Sequence, residues 1–370
     1  MTDFTLVAVI AVALFFDFTN GFHDAANAIA TSVSTRALSP RTAVIYAAIL
    51  NFVGAFLFLE VAATIAKGIV DPSAITLDIV LGGVVGAITW NLITWYFGLP
   101  TSSSHALIGG VLGSAIAAKG LDVGQWDGLR EKVLIPSLLA PVAGILGGAS
   151  ITLAILWLVR RRSPDQVNRV FRRLQVGTAG FVAFTHGTND AQKTMGIMAL
   201  ALVASGHLPA EGFEIPLWVV ISAAFAMSAG TYAGGWRIIR TLGQRVAKLE
   251  PPQGFGAEAS TAAILYTTGH LGFPVSTTHT ISGSVLGAGA VRRFSAVRWG
   301  IAGNILVAWA LTIPAAGLVG GLMQGIASLP AGDAVVFILA AGIAALAFYA
   351  RRVQTRTGLI PAPAASGTRP

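Results

Sequence analysis

Apolar stretches long enough to cross a bilayer run almost the whole length of the chain, separated by short polar segments. Residues 79–118, 133–159, 215–236, 259–291 and 299–332 contain no Asp, Glu, Lys or Arg. A helix spans the hydrocarbon core with about 20 residues, so the longest of these stretches hold a hairpin or more than one crossing. The pattern predicts spans at 4–33, 42–66, 134–159, 175–204, 215–235, 299–323 and 333–350. It also predicts two hairpins, 78–118 broken at Pro100 and 257–290 broken at Pro274. The expected fold class is an all-α polytopic membrane protein.

Composition supports this reading. The 370 residues are 54% hydrophobic and 11% charged, whereas a soluble domain carries about 25% charged residues. A water-facing surface of this size cannot be made from so few charges, which excludes a soluble enzyme, a disordered chain and a nucleic-acid partner. Residues Met1 to Phe16 lack Lys and Arg and lead into Asp17 and Asp24 rather than a small-residue cleavage site, so they read as a span and not a signal peptide. There is no Cys, hence no disulfide and no thiolate ligand.

The net charge of +8 is explained by where the cations fall. With the N-terminus outside, Arg36, Arg41, the six arginines of 160–173, Arg237, Arg240, Arg245, Lys248, Arg292, Arg293, Arg298, Arg351, Arg352, Arg356 and Arg369 all lie inside. Those 19 face four outside, Lys67, Lys119, Arg130 and Lys132, with Lys193 within a span. The positive-inside rule therefore predicts an outside N-terminus and a cytoplasmic C-terminus.

The two hairpins repeat each other. Gly98-Leu-Pro-Thr-Ser-Ser-Ser-His105 through Gly113 aligns without gaps on Gly272-Phe-Pro-Val-Ser-Thr-Thr-His279 through Gly287, with eight identities in sixteen positions. One helix group earlier, Gly21-Phe-His-Asp24-Ala-Ala-Asn27 aligns on Gly187-Thr-Asn-Asp190-Ala-Gln-Lys193. Each half makes an odd number of crossings, which predicts two inverted-topology repeats with the broken hairpins meeting near the bilayer midplane. The expected organisation is a first repeat over 1–159, a basic cytoplasmic linker over 160–174, a second repeat over 175–323, an extra helix over 324–350 and a cytoplasmic tail over 351–370.

At each break Pro stops one helix and Ser or Thr caps the next. Unpaired N–H groups, a positive helix end and hydroxyls then converge, a combination suited to an oxyanion. The candidate ligands are Thr101, Ser102, Ser103, Ser104, Ser276, Thr277 and Thr278, with Asp24 and Asp190 as ionisable groups in apolar spans that call for a functional partner. A carboxylate accepts a hydrogen bond from a protonated anion such as monohydrogen phosphate and rejects sulfate, which carries no proton at neutral pH; its other reading is a structural pair between packed helices. Lys193 stands where the first half has Asn27, placing a fixed charge where a cation could bind, and His23 stands opposite Asn189. Both exchanges point to proton coupling. His105 and His279 are candidate supporting groups, against a purely structural reading, while Glu60 and Glu258 read as structural or gating partners. No metal site and no cofactor are expected, the coupling ion being a proton or Na⁺.

These motifs, with His186-Gly-Thr-Asn-Asp190 and the paired Pro-x-Ser-x-x-His segments, resemble the inorganic phosphate transporter (Pit/PiT) family over nearly the whole chain. The resemblance implies a secondary transporter for inorganic phosphate in the cell (inner) membrane, with inverted repeats, commonly a homodimer. The departures at His23 and Lys193 are similar to the bacterial proton-coupled branch, which takes phosphate largely as neutral metal-phosphate. A sodium-coupled phosphate symporter, a sulfate permease of the same fold and an anion channel stay open as alternatives. A Ser104/His105 hydrolase is disfavoured, because adjacent helical residues point about 100° apart.

Overall fold

The computed structural model describes residues 2–209 and 214–356, and among these it is predominantly helical, with two isolated β-bridges and no strand. Arg369 and the rest of the predicted tail from 357 onward lie outside the described residues. The first half comprises α1 (Thr2–Ser34), α2 (Pro40–Gly54), α3 (Glu60–Lys67), α4 (Leu77–Phe97), α5 (Ser103–Lys119) and α6 (Ile135–Val159). The second comprises α7 (Pro164–Ala204), α8 (Leu217–Ala233), α9 (Trp236–Arg240), α10 (Pro251–His270), α11 (Thr277–Ala290) and α12 (Trp299–Ala327), and α13 (Gly332–Arg356) follows. Among the described residues, five segments are long and apolar enough to cross a membrane: Asp3–Ser34, Leu77–Phe97, Trp126–Val159, Trp299–Ala327 and Gly332–Ala350. The pair Leu217–Ala233 and Trp236–Val246, bent by 59°, makes a sixth if it is one span. Leucines on the outer faces of α6 (Leu138, Leu146, Leu153) and α12 (Leu318, Leu322) are exposed, as a lipid-facing surface requires.

Three predicted elements take a different form. The span expected at 42–66 is two helices, because the first N–H groups of α3 are satisfied by another helix. Val61 N and Ala62 N both donate to Gln192 Oε1 of α7, at 3.0 and 3.1 Å. Helix ends need such partners, and one supplied in trans is invisible to local pattern. The basic segment 160–174 is a loop only to Ser163; from Pro164 it forms the opening turns of α7, with Val167, Phe171 and Gln175 buried four residues apart. The second hairpin begins at Pro251 rather than 257, where Glu250 and Gln253 form a capping box.

The breaks fall where Pro100 and Pro274 predict. α4 ends on Gly98 (φ +68°) and α10 gives way to Gly272 (φ +73°), left-handed conformations that glycine adopts without steric cost. Ser102 Oγ accepts from His105 N and Ser276 Oγ from His279 N, both at 3.1 Å, as side-chain caps of α5 and α11.

The sequence repeat has a counterpart in the packing. Helix α5 packs on α12, and its repeat partner α11 packs on α6, so each hairpin lies against the last helix of the opposite half. Thr241 Oγ1 donates to Gly98 O at 2.8 Å, and Thr64 Oγ1 donates to Gly272 O at 2.9 Å. A Cβ on Gly21 would collide with Met227 O and one on Gly187 with Asn51 O, so α1 touches α8, and α7 touches α2, backbone to backbone.

Candidate functional site

Four elements deliver the predicted site residues, Asn189 excepted, to one buried cluster: the middle of α1, the middle of α7, and the N-termini of α5 and α11. None of His23, Asp24, Asn27, Thr101 to His105, Asn189, Asp190, Lys193 or Ser276 to His279 is more than 4% exposed. On α1, His23 Nδ1 pairs with Asp24 Oδ1 at 2.6 Å, and Nε2 lies 3.2 Å from Thr94 Oγ1 and 3.4 Å from Thr101 Oγ1. One turn on, Asn27 Nδ2 donates to Thr277 Oγ1 (3.1 Å) and Thr278 Oγ1 (2.9 Å), tying α1 to the second hairpin.

On α7, Lys193 Nζ donates to Asp190 Oδ1 and to Ser104 Oγ, each at 2.5 Å, and to Val275 O at 3.1 Å. One ammonium thus joins both hairpins to the α7 carboxylate. Thr277 Oγ1 donates to Asp190 Oδ2 at 3.2 Å, and Thr278 Oγ1 to Asp24 Oδ1 at 3.5 Å. Ser102 and Ser276 are occupied as caps, whereas Ser103 Oγ is buried with no partner and stays available to a ligand. His105 and His279 meet with ring centroids 4.7 Å apart; His105 Nε2 reaches Ser137 Oγ at 2.6 Å, and His279 stacks on Trp309 at 3.8 Å. Two helix N-termini, a cation and a set of hydroxyls converge, which is the equipment for holding an oxyanion out of water.

Asn189 faces away from this cluster, its Nδ2 donating to Thr185 O and Leu265 O at 2.9 Å. Its Oδ1 is buried and has no partner. His186, which the sequence offers only as the first residue of a motif and with no role of its own, has its Nε2 3.1 Å from Asp190 Oδ2 and its Nδ1 3.1 Å from Asn51 Oδ1. Ligand atoms of Asp24, His186 and Asp190 lie within 4.8 Å of one another, so this trio could grip a cation that arrives as cargo with an anion. The missed signal was the i, i+4 His/Asp spacing inside an otherwise apolar helix.

Glu258, read from sequence as a structural or gating partner, is wholly buried and anchors a second cluster. Its Oε1 accepts from Thr31 Oγ1 (2.5 Å) and Gln175 Nε2 (3.1 Å), and its Oε2 from Thr178 Oγ1 (2.5 Å). Glu60 is exposed and caps locally, its Oε2 accepting from Leu59 N at 3.0 Å.

The fold and this site define a polytopic helical membrane protein with a polar centre enclosed between two related halves. Residues 20–320 match the phosphate transporter family, and the chain belongs to that family. It is 51% identical over 328 residues to a probable low-affinity inorganic phosphate transporter of Rhizobium meliloti, covering 88% of this chain and 97% of the relative. It is 50% identical over 323 residues to one of Mycobacterium bovis (87% and 78%), and 44% identical over 318 residues to one of Bacillus subtilis (85% and 95%). Among solved structures it is similar to a sodium-dependent phosphate transporter, with TM-score 0.78 and 26% identity over 87% of this chain and 98% of the other. Family and relatives are transporters, not enzymes.

Proposed function

We propose that the chain imports inorganic phosphate, alone or as a neutral metal-phosphate complex, by proton-coupled symport with alternating access. The observation that carries this is Lys193 bridging Ser104, Val275 O and Asp190 between the two capped helix N-termini. An oxyanion placed there meets an ammonium, hydroxyls and two positive helix ends. The carboxylates of Asp24 and Asp190 would accept a hydrogen bond from the hydroxyl that monohydrogen phosphate carries and sulfate lacks. The names of the relatives support phosphate as the substrate.

For coupling, Lys193 already supplies a positive charge in the register that holds Asn27 in the other half. A fixed ammonium disfavours a metal cation at that position and leaves titratable groups to balance the cargo. Sodium coupling is the second reading, favoured by the sodium-dependent solved relative and by Asn27, whose Oδ1 is buried and accepts no hydrogen bond. The remaining elements of the reading are inverted repeats, an outside N-terminus, a cytoplasmic C-terminus in the bacterial inner membrane, and a homodimer. The test is phosphate uptake by purified protein in proteoliposomes under separately imposed proton and sodium gradients. Accumulation on the proton gradient alone is the expected result; accumulation only on the sodium gradient would reverse the coupling assignment, and sulfate uptake without phosphate uptake would reverse the substrate.

A further inference from the structure

The buried carboxylates differ in how they are compensated. Asp24 has His23, Asp190 has Lys193 and His186, and Glu258 accepts from three side chains. Asp17 has no such partner. It lies two turns before Asp24 on the same face of α1, about 10 Å along the axis, with no exposed surface. Both its oxygens are enclosed and neither makes a well-formed hydrogen bond, the one carboxylate among the described residues for which this holds. The neutral side chains of Thr194 of α7 and of Asn20 are the nearest hydrogen-bonding groups to it, and Thr194 Oγ1 and Asn20 Oδ1 have no well-formed bond to anything else.

The arrangement also breaks the repeat. In the register that aligns Asp24 with Asp190, Asp17 falls on Ala183 and Thr194 falls on Ala28, so the second half has neither member of the pair. A structural polar contact belonging to the scaffold would have no reason to be one-sided, whereas a single ion-carrying group would.

We propose that Asp17 carries the coupled proton. This rests on the proton-coupled reading above and names the group responsible for it. A bare carboxylate in this enclosure would be very costly, because only the two neutral side chains of Thr194 and Asn20 stand where its water would be; a carboxylic acid is tolerated. The charged groups it faces are Asp190 and Lys193 of α7, with His23 and Asp24 further along α1; α8, on the other flank, carries no Asp, Glu, Lys, Arg or His. α4 offers Asn91, whose side-chain atoms are also unpaired, and its only formally charged residue is Asp78 at the far end. When phosphate adds negative charge around Lys193, that ammonium is neutralised and a proton at Asp17 becomes more favourable. By linkage, a proton at Asp17 favours phosphate binding to the same extent. The step is the formation of one O–H bond on a carboxylate oxygen with a proton from the outer solution, and its cleavage towards the inner one. No electron moves.

The experiment uses the full chain in proteoliposomes with Asp17→Asn and Asp17→Glu. It measures exchange of labelled phosphate at equal pH, accumulation driven by an inward proton gradient, and acidification of the lumen reported by a trapped dye. Asp17→Asn should keep exchange within about threefold of wild type while losing at least about tenfold in accumulation, together with the dye signal. Asp17→Glu should restore both. Undiminished gradient-driven accumulation by Asp17→Asn would overturn the proposal, and so would loss of exchange in both variants, which would mark Asp17 as a positioning residue for Asp190 and Lys193. The wild-type arm separates the underlying reading: an unvaried protein that ignores the proton gradient and accumulates phosphate on sodium fails that reading before any variant is compared.

Discussion

Lys193 Nζ and Asp190 Oδ1 lie 2.5 Å apart within one turn of α7, both side chains almost fully removed from solvent. Such a pair contributes little net stability, but removing one member leaves an uncompensated buried charge worth about 3–5 kcal/mol. Asp190→Asn should therefore abolish uptake and lower thermal stability in detergent, whereas Asp190→Asn with Lys193→Met should regain stability and still not transport. Melting curves paired with labelled-phosphate uptake check both halves of this expectation; a double variant no more stable than the single one would contradict it.

Asp24 is compensated by an imidazole instead of an ammonium. Asp24→Asn keeps a side chain of the same size that can still hydrogen-bond His23, so folded protein is expected in near-normal yield with phosphate uptake reduced at least about a hundredfold. Size-exclusion profiles and initial uptake rates measure this, and full transport by the variant would remove Asp24 from the site.

Replacing Lys193 by Asn restores the residue type of Asn27. The expected outcome is uptake that gains a dependence on sodium and loses its response to a proton gradient, measured by exchanging sodium for choline outside the vesicles. Proton-driven, sodium-independent uptake that is unchanged would remove the role given to Lys193.

Glycine contacts between helices give a stability prediction. At Gly21, where a Cβ would strike Met227 O, alanine should force α1 from α8 and sharply reduce the yield of monodisperse protein. At Gly303 in α12 nothing lies within 4 Å, so alanine there should be neutral or stabilising by about 0.5–1 kcal/mol. Fluorescence-detected melting of the two variants tests the contrast.

Because the chain has no Cys, single-cysteine variants report topology cleanly. Ala37→Cys should react only with reagents reaching the cytoplasmic side, and Gly120→Cys only with those outside. The opposite labelling pattern would invert the proposed orientation.

The sequence displayed the breaks because each rests on local chemistry: a proline, a glycine in the left-handed region and a serine cap within a few residues. It displayed the candidate cluster for a related reason, since Asp24, Asp190 and Lys193, like Asp17, are charges in otherwise apolar stretches. What it concealed depends on distant partners. The start of α3 is set by Gln192, 130 residues away from Ala62. The arginine-rich start of α7 looked like a linker because charge outweighed the four-residue spacing of Val167, Phe171 and Gln175. His186 acquires significance only once Asp190 and Asn51 are brought to its two ring nitrogens.

The exchange of packing partners between halves, α5 on α12 and α11 on α6, has a consequence for biogenesis. At a synthesis rate of about 5–20 residues per second, α12 leaves the ribosome roughly ten to forty seconds after α5. Throughout that interval the first hairpin sits in the membrane with Gly109 and Gly113, the surface meant for Ile313 and Gly317, facing no permanent neighbour. Neither half can be completed from its own residues, so the nascent first half depends on lipid or the insertion machinery to shield that seam until the chain is nearly finished.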